Sequence, residues 1–422
     1  MRKLSETEQT NYNRSMPDNL SLDLNQARLL NLAALDLLRK PQKPAKPADV
    51  QRTIRRLNML QLDTISVVAR AHLHILYSRL GAYDPSWLED LHASGSLFEY
   101  FAHAMCLIPI EDYPLYRVLM LDKQHGWKSL HEWSASHPGY LEKMLDHIRE
   151  NGPVRSSDFK SKQSRGSWWS WKDEKFALEL LFYRGDLMVQ QRRGFQRVYD
   201  LRERVLPDWD DAQTPDFEQA VSQLILNSVR ALGIATENWI AENIYIKKNH
   251  LTSLIPTLVK TDQLIPLKIN SPTPQEAFLH PNNLDLFEKA RANLLKPALT
   301  TILSPFDPLL TDRARARTLF NFDYTIECYT PISKRIYGYF TLPILWRGRL
   351  IGRMDAKAWR KEKRLQIIKL FFEPNVRMSS AFIRDVGKSL RAYADWQTLQ
   401  EIEINWASNV DFIGAVQSYL NP

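Results

Sequence analysis

The stretch LMVQQRRGFQRVYDL, residues 187 to 201, alternates apolar and polar side chains on both sides of Gly194, the period-two pattern of two strands joined by a turn. It follows WKDEKFALELLFYRGDL (171 to 187), whose apolar residues recur at helical spacing. Upstream of that run stand GYLEKMLDHIRENG (139 to 152), also helical, and the short PVRSSDF (153 to 159), read as a turn-helix. Helix, short helix, longer helix and hairpin are, in this order, the parts of a winged helix, with the hairpin as its wing. The wing carries Arg192, Arg193 and Arg197 around Phe195 and Tyr199, cations and rings suited to phosphates and exposed bases. An ordinary solvated hairpin also carries arginine, and the winged-helix context is what favours contact with DNA.

A comparable order of elements stands on either side. Residues 1 to 20 are polar and read as a disordered tail. LDLNQARLLNLAALDLL (22 to 38) is helical and stops where Lys40, Lys43 and Lys46 alternate with Pro41, Pro44 and Pro47, an exposed linker. The basic helix VQRTIRRLNML, the strand-like LQLDTI and the helix VVARAHLHILYSRLG follow, closed by Gly81. A third helix-rich block, FEQAVSQLILNSVRAL, ENWIAENIYIKK and LTSLIPTLVKTDQLI, ends in a small strand. From about residue 300, YTIECY, RIYGYFTLPILWRGRLIGRMDAKAWR and RLQIIKLFFEP alternate branched or aromatic residues with polar ones, as a small antiparallel sheet or barrel does, before the helix AFIRDVGKSLRAYADWQ. The expected class is α+β: about three tandem winged helix-turn-helix domains (21–140, 141–210 and 211–298) and a C-terminal antiparallel β-sheet or barrel domain with a closing helix (299–422).

Lys plus Arg number 56 against 48 Asp plus Glu, and a pI near 9.2 makes a polyanion the natural partner. No apolar run is long enough to span a bilayer, and the N-terminus lacks the apolar stretch of a signal peptide. Cys106 and Cys328 stand far apart with no CxxC, against a disulfide framework or zinc ribbon. The reading is a soluble, cytoplasmic, nucleoid-associated monomer. Glycines form neither a dinucleotide fingerprint nor a Walker loop. His72 and His74, two apart on a helix, cannot converge on one ion, so neither metal nor organic cofactor is expected. Trp168, Trp169 and Trp171 could stack bases, but aromatics just ahead of a helix more often fill a core.

NMLQLDTISVV, residues 58 to 68, sets Gln61 and Asp63 on either side of Leu62 in an otherwise apolar element. On a strand both would project from one face. Asp63, ahead of Thr64 and Ser66, suits a helix cap, a role that leaves Gln61 without a task. His103, in FEYFAHAM, admits three roles: polar reader, acid or base, or satisfied interior residue.

These segments carry a resemblance to the interstrand-crosslink DNA glycosylases of the YcaQ/AlkZ type. It runs from about Leu22 to the end through LQLDTISVVARAHLHILYSRLGAY, LFEYFAHAMCLIP, RRGFQRVYDLRERVLP and the long block from SPFDPLL to DAKAWR, in the family's order. The family's Gln-apolar-Gln/Asp motif maps onto Gln61, Leu62 and Asp63, the acidic form resembling the broader-substrate branch. The departures are the longer polar start and the Lys/Pro insertion at 40 to 47. The resemblance implies tandem winged helices, double-stranded DNA with alkylated or crosslinked bases as partner, and monofunctional hydrolysis of the N-glycosidic bond of N7-alkylated purines. Asp63 would stabilise the sugar cation and activate water, Gln61 would position water or deoxyribose, and His103, Arg192, Arg193, Phe195 and Arg197 would hold DNA. The rivals are a non-catalytic winged-helix regulator and a lysine Schiff-base enzyme.

Overall fold

The computed structural model describes residues 20–121, 128–159 and 173–421. Among them sixteen α-helices and four sheets make a mixed α+β fold, and no helix is long and apolar enough to cross a membrane. Residues 1–19 of the polar start, and Trp168, Trp169 and Trp171, lie outside the described residues.

Strand β1 (Ser21–Asp23) leads into α1 (Leu24–Ala34). A capping box holds the junction: Asp23 accepts the Gln26 N–H at 2.8 Å and Gln26 Oε1 accepts the Asp23 N–H at 3.0 Å. After the Lys/Pro stretch, α2 (Pro47–Leu57) begins on Pro47, where a missing N–H costs nothing. Next come β2 (Leu60–Gln61), α3 (Ala71–Leu80), α4 (Ser86–Ala93), β3 (Leu97–Phe101) and β4 (Met105–Pro109), the strands in the order β2-β4-β3. The expected strand LQLDTI is cut short. Leu62 still donates its N–H to Met105 at 2.8 Å, but the Asp63 side chain takes the Ile65 N–H and turns the chain out of the ladder.

The middle of the chain holds α5 (Tyr113–Leu121), α6 (Lys128–Ser136), α7 (Tyr140–Asn151), α8 (Asp173–Tyr183), the hairpin β5 (Leu187–Arg193) and β6 (Gln196–Leu201), and α9 (Arg202–Val205). PVRSSDF supplies one turn instead of a helix, because Asp158 accepts the Arg155 N–H at 2.8 Å while Val154 bridges to Tyr199 beside β6. Then follow α10 (Phe217–Leu232), α11 (Glu237–Ile244), α12 (Lys248–Lys260), β7 (Ile265–Asn270), β8 (Gln275–Leu279) and α13 (Leu284–Arg291). β1 pairs in parallel with β7, Ser21 opposite Lys268, so the segment expected to open the first block lies in the sheet of the third.

The last part contains β9 (Thr300–Ile302), α14 (Arg313–Phe320), β10 (Leu342–Trp346), β11 (Arg349–Trp359), β12 (Arg364–Phe372), α15 (Ser380–Trp396), β13 (Glu401–Ile404) and α16 (Val410–Leu420). Its sheet runs β13-β12-β11-β10-β9 with β9 and β13 at the edges; it is antiparallel from β9 to β12, as expected, but open and not a barrel, and its β13 pairing departs from the antiparallel expectation. β13 is parallel to β12 because α15 intervenes as a crossover that returns the chain in the same direction.

This sheet grips the segment after β2. Ala358 donates its N–H to Val67 O at 3.1 Å and Arg360 reaches Val68 O at 2.5 Å. Arg79 and Asp307, both wholly buried, form a two-pronged ion pair at 2.7 and 3.0 Å. Tyr393 Oη lies 2.7 Å from His74 Nε2, so that histidine is a packing residue, held neutral by burial. The segment after β2 is thus held at Leu62 by β4 and at Val67 and Val68 by the C-terminal sheet, and α3 behind it is anchored to the same C-terminal part.

Candidate active site

Gln61 closes β2, paired across to Cys106 of β4. The β3–β4 turn, closed by the Ala102 N–H on Ala104 O at 2.9 Å, carries His103 at its tip and sets Nε2 3.0 Å from Gln61 Oε1. An amide oxygen only accepts, so Nε2 bears the proton. Burial pushes His103 down to about 4, which leaves the ring neutral at physiological pH. Such a ring does not serve as a phosphate-binding cation. Instead it fixes the Gln61 amide by its oxygen, leaving the NH₂ end for another acceptor.

Asp63 is half-buried. One oxygen, Oδ1, accepts the Ile65 N–H at 2.7 Å. The helix-capping reading of this residue fails, because α3 starts only at Ala71 and has Arg70 at its N-cap; the bond is a local turn. Burial raises the Asp63 pKa and the Ile65 N–H only partly counters it. No lysine or arginine forms an ion pair with this carboxylate among the described residues. An uncompensated, partly desolvated carboxylate is costly to fold around and is the kind of group that active sites keep.

Gln61 and His103 form one wall of a cleft of about 170 Å³. The other wall is Phe306, Arg313, Tyr324 and Ile326. Just past Ile326, Cys328 has its thiol pKa raised by burial first and by the charge of Asp63 second, so the chain leaving the cleft passes close to that carboxylate. Sequence reasoning singled out none of these far-wall residues. They fell inside the long block from SPFDPLL to DAKAWR that carries the resemblance, with no feature that set them apart.

The hairpin does not present the expected row of free cations. Arg192 grips the buried Glu99 of β3 with Nε to Oε1 at 2.5 Å and Nη2 to Oε2 at 2.8 Å. Arg197 pairs with Glu99 at 3.3 Å and with Glu179 of α8 at 3.1 Å. Phe195, with φ of 69°, lies against the guanidinium groups of Arg70 and Arg192, 4.3 and 4.4 Å from its ring centre, and stacks on His72 at 5.5 Å. Only Arg193 of the three arginines is exposed. The hairpin is therefore tied to the β2-β4-β3 sheet, and Glu99, unremarked in the sequence, is the knot.

The family model for AlkZ-like DNA glycosylases matches residues 54–396. The chain belongs to the AlkZ-like DNA glycosylase family. The match takes in Asp63, with Gln61 and His103 on one wall of the cleft and Tyr324 and Ile326 on the other. An AlkZ-like chain is a DNA glycosylase, a hydrolase of DNA repair, and its substrate is DNA. Among solved structures, the Streptomyces sahachiroi DNA glycosylase AlkZ is similar over 92% of this chain and 100% of its own, with a TM-score of 0.61 at 16% identity, a likeness of fold.

Proposed function

We propose that this AlkZ-like glycosylase hydrolyses the N-glycosidic bond of N7-alkylated purines, crosslinked ones included, as a monofunctional monomer acting on duplex DNA. The observation that carries this reading is the half-buried carboxylate of Asp63, free of any cation among the described residues, beside a Gln61 amide oriented by His103. An N7-alkylated guanine leaves as a neutral base from an already cationic ring, so no strong acid is needed at the base. The neutral His103 is compatible with that demand. The barrier lies in the sugar, where positive charge develops. Asp63 Oδ2 faces that charge and takes a proton from the attacking water, while the Gln61 NH₂ end holds the water or the deoxyribose.

No lysine lines the cleft among the described residues, which favours hydrolysis over a Schiff base. We read the blocks 21–140, 141–210 and 211–298 as winged helices laid along the duplex, the third completed by β1 from the start of the first, with the 299–422 sheet closing the site, in a cytoplasmic, nucleoid-associated enzyme. A crosslinked base cannot swing fully into a closed pocket, and a cleft shared by two distant chain segments is open enough to meet it. The test is single-turnover release of N7-methylguanine and of one arm of a nitrogen-mustard crosslink, with borohydride present in parallel. Release without a trapped adduct is expected. A covalent adduct overturns the monofunctional reading, and DNA binding with no release overturns the active-site assignment.

A further inference from the structure

The chain that leaves the far wall of the cleft forms a loop, residues 327–339, whose side chains are placed against the usual logic of burial. Tyr329 is 90% exposed, Ile332 81%, Ile336 65% and Tyr339 41%. Four of the ten large apolar side chains exposed among the described residues thus fall within thirteen positions. Scattered exposed hydrophobics need no explanation, but a cluster on one projecting segment does.

The loop is built to hold its shape. Glu327 is buried, and its carboxylate accepts three backbone N–H groups, from Ile336 at 3.0 Å, Tyr337 at 2.8 Å and Gly338 at 3.0 Å. These bonds staple the two ends together. Burial raises the Glu327 pKa and the three N–H bonds outweigh it, so the group stays ionised. Arg335 Nε donates to Thr330 O at 2.8 Å, and a short 3₁₀ turn spans Ile332–Lys334. At the base, Tyr337 meets Phe371 edge-on with Arg353 over its ring. Gly338 has φ of 143°, and a Cβ there would strike the Asp355 carboxyl at 2.3 Å. The base is locked while Tyr329 and Ile332 project from the tip with Lys334 exposed beside them.

We propose that Tyr329 and Ile332 form a wedge that enters the base stack of the DNA beside the nucleotide whose sugar lies at Asp63. The inference rests on the active-site reading above, and its occupant is duplex DNA. Ile326 of the cleft wall lies three residues before Tyr329 in the chain, so the tip and the cleft are joined by at most about 10 Å of backbone. A preformed apolar tip flanked by a lysine and an arginine fits a base step between two phosphate strands, because the cations meet the backbone while the side chains replace stacking. A crosslinked base cannot be flipped out, and separating the neighbouring step is the opening that remains to the enzyme.

The test uses the full chain and a duplex with 2-aminopurine next to N7-methylguanine. Wild type is expected to raise the 2-aminopurine fluorescence on binding, and Tyr329→Ala/Ile332→Ala to leave it near the free-DNA level at saturating protein. Single-turnover excision from the paired duplex should fall about 10- to 100-fold in the double variant. On a substrate already opened by an abasic site opposite the lesion it should stay within about threefold of wild type. Tyr329→Phe/Ile332→Leu should restore both signals. Equal loss on the two substrates, or an unchanged fluorescence rise, overturns the wedge, as does a change of oligomeric state with DNA opening intact. The fluorescence arm is read without any excision, so a wild type that unstacks DNA but releases no base sinks the active-site reading and leaves the wedge standing.

Discussion

Two carboxylates sit on or beside the small β2-β4-β3 sheet and have opposite surroundings. Glu99 is fully buried and is gripped by Arg192 and Arg197, which outweigh the cost of burial and hold its pKa below the usual range. Asp63 is half-buried, has one backbone N–H and no cation, and its pKa is raised. An acid whose charge is cancelled joins elements together, whereas one left uncancelled near a cleft keeps an electric field that a developing cation can use. The arginines of the hairpin look from the sequence like DNA ligands, yet two of the three serve the first purpose.

The contrast breaks most readily at Glu99. Glu99→Ala leaves the partly buried Arg192 unpaired, and urea unfolding should show a loss of about 3 to 5 kcal/mol, the usual cost of breaking a buried pair from one side, with excision per folded molecule within about threefold. A variant as stable as wild type would mean that the knot is decorative. Asp63→Asn should do the reverse. Excision of N7-methylguanine should drop about 10²- to 10³-fold, equivalent to about 2.7 to 4 kcal/mol of barrier, while stability and lesion binding hold. Turnover close to wild type would reduce Asp63 to a turn-former for Ile65.

Acidification should separate the two groups. In the proposed role Asp63 acts ionised, and its pKa lies above the ordinary 3.8, so excision should fall about tenfold per unit as pH drops below that raised value and be level above it. Glu99 has the opposite sign: its folded pKa is depressed, so its contribution to stability is complete above the unfolded-chain value and is lost only as pH falls through the lower folded one. Activity should therefore disappear while circular dichroism still reports a folded chain. Simultaneous loss would place both groups in one structural role. The smallest effect belongs to Arg193, the exposed arginine of the hairpin. Arg193→Ala should lower the salt slope of DNA binding by about 0.9, and an unchanged slope would remove the hairpin tip from the DNA path.

Much of the local structure was legible because local rules decide it. The alternation around Gly194 marked β5 and β6, helical spacing marked the helices on either side, and the polar pair Gln61 and Asp63 stood out against an apolar segment. The sequence by itself left Asp63 between a helix cap and a site residue, and the turn it makes with the Ile65 N–H was not read there. Only the tertiary structure decided what each charge is for. Glu99 meets Arg192 across 93 residues, β1 joins β7 across most of the chain, and residues 324 to 328 arrive beside Gln61 and Asp63 from the far end. Such partnerships leave no periodic mark, since periodicity records which face is buried and not what it is buried against. The energy of a charge depends on its desolvation and its nearest counter-charge, both set by packing between distant segments, so the same carboxylate group in this chain is a knot at Glu99, a staple at Glu327 and unpaired at Asp63.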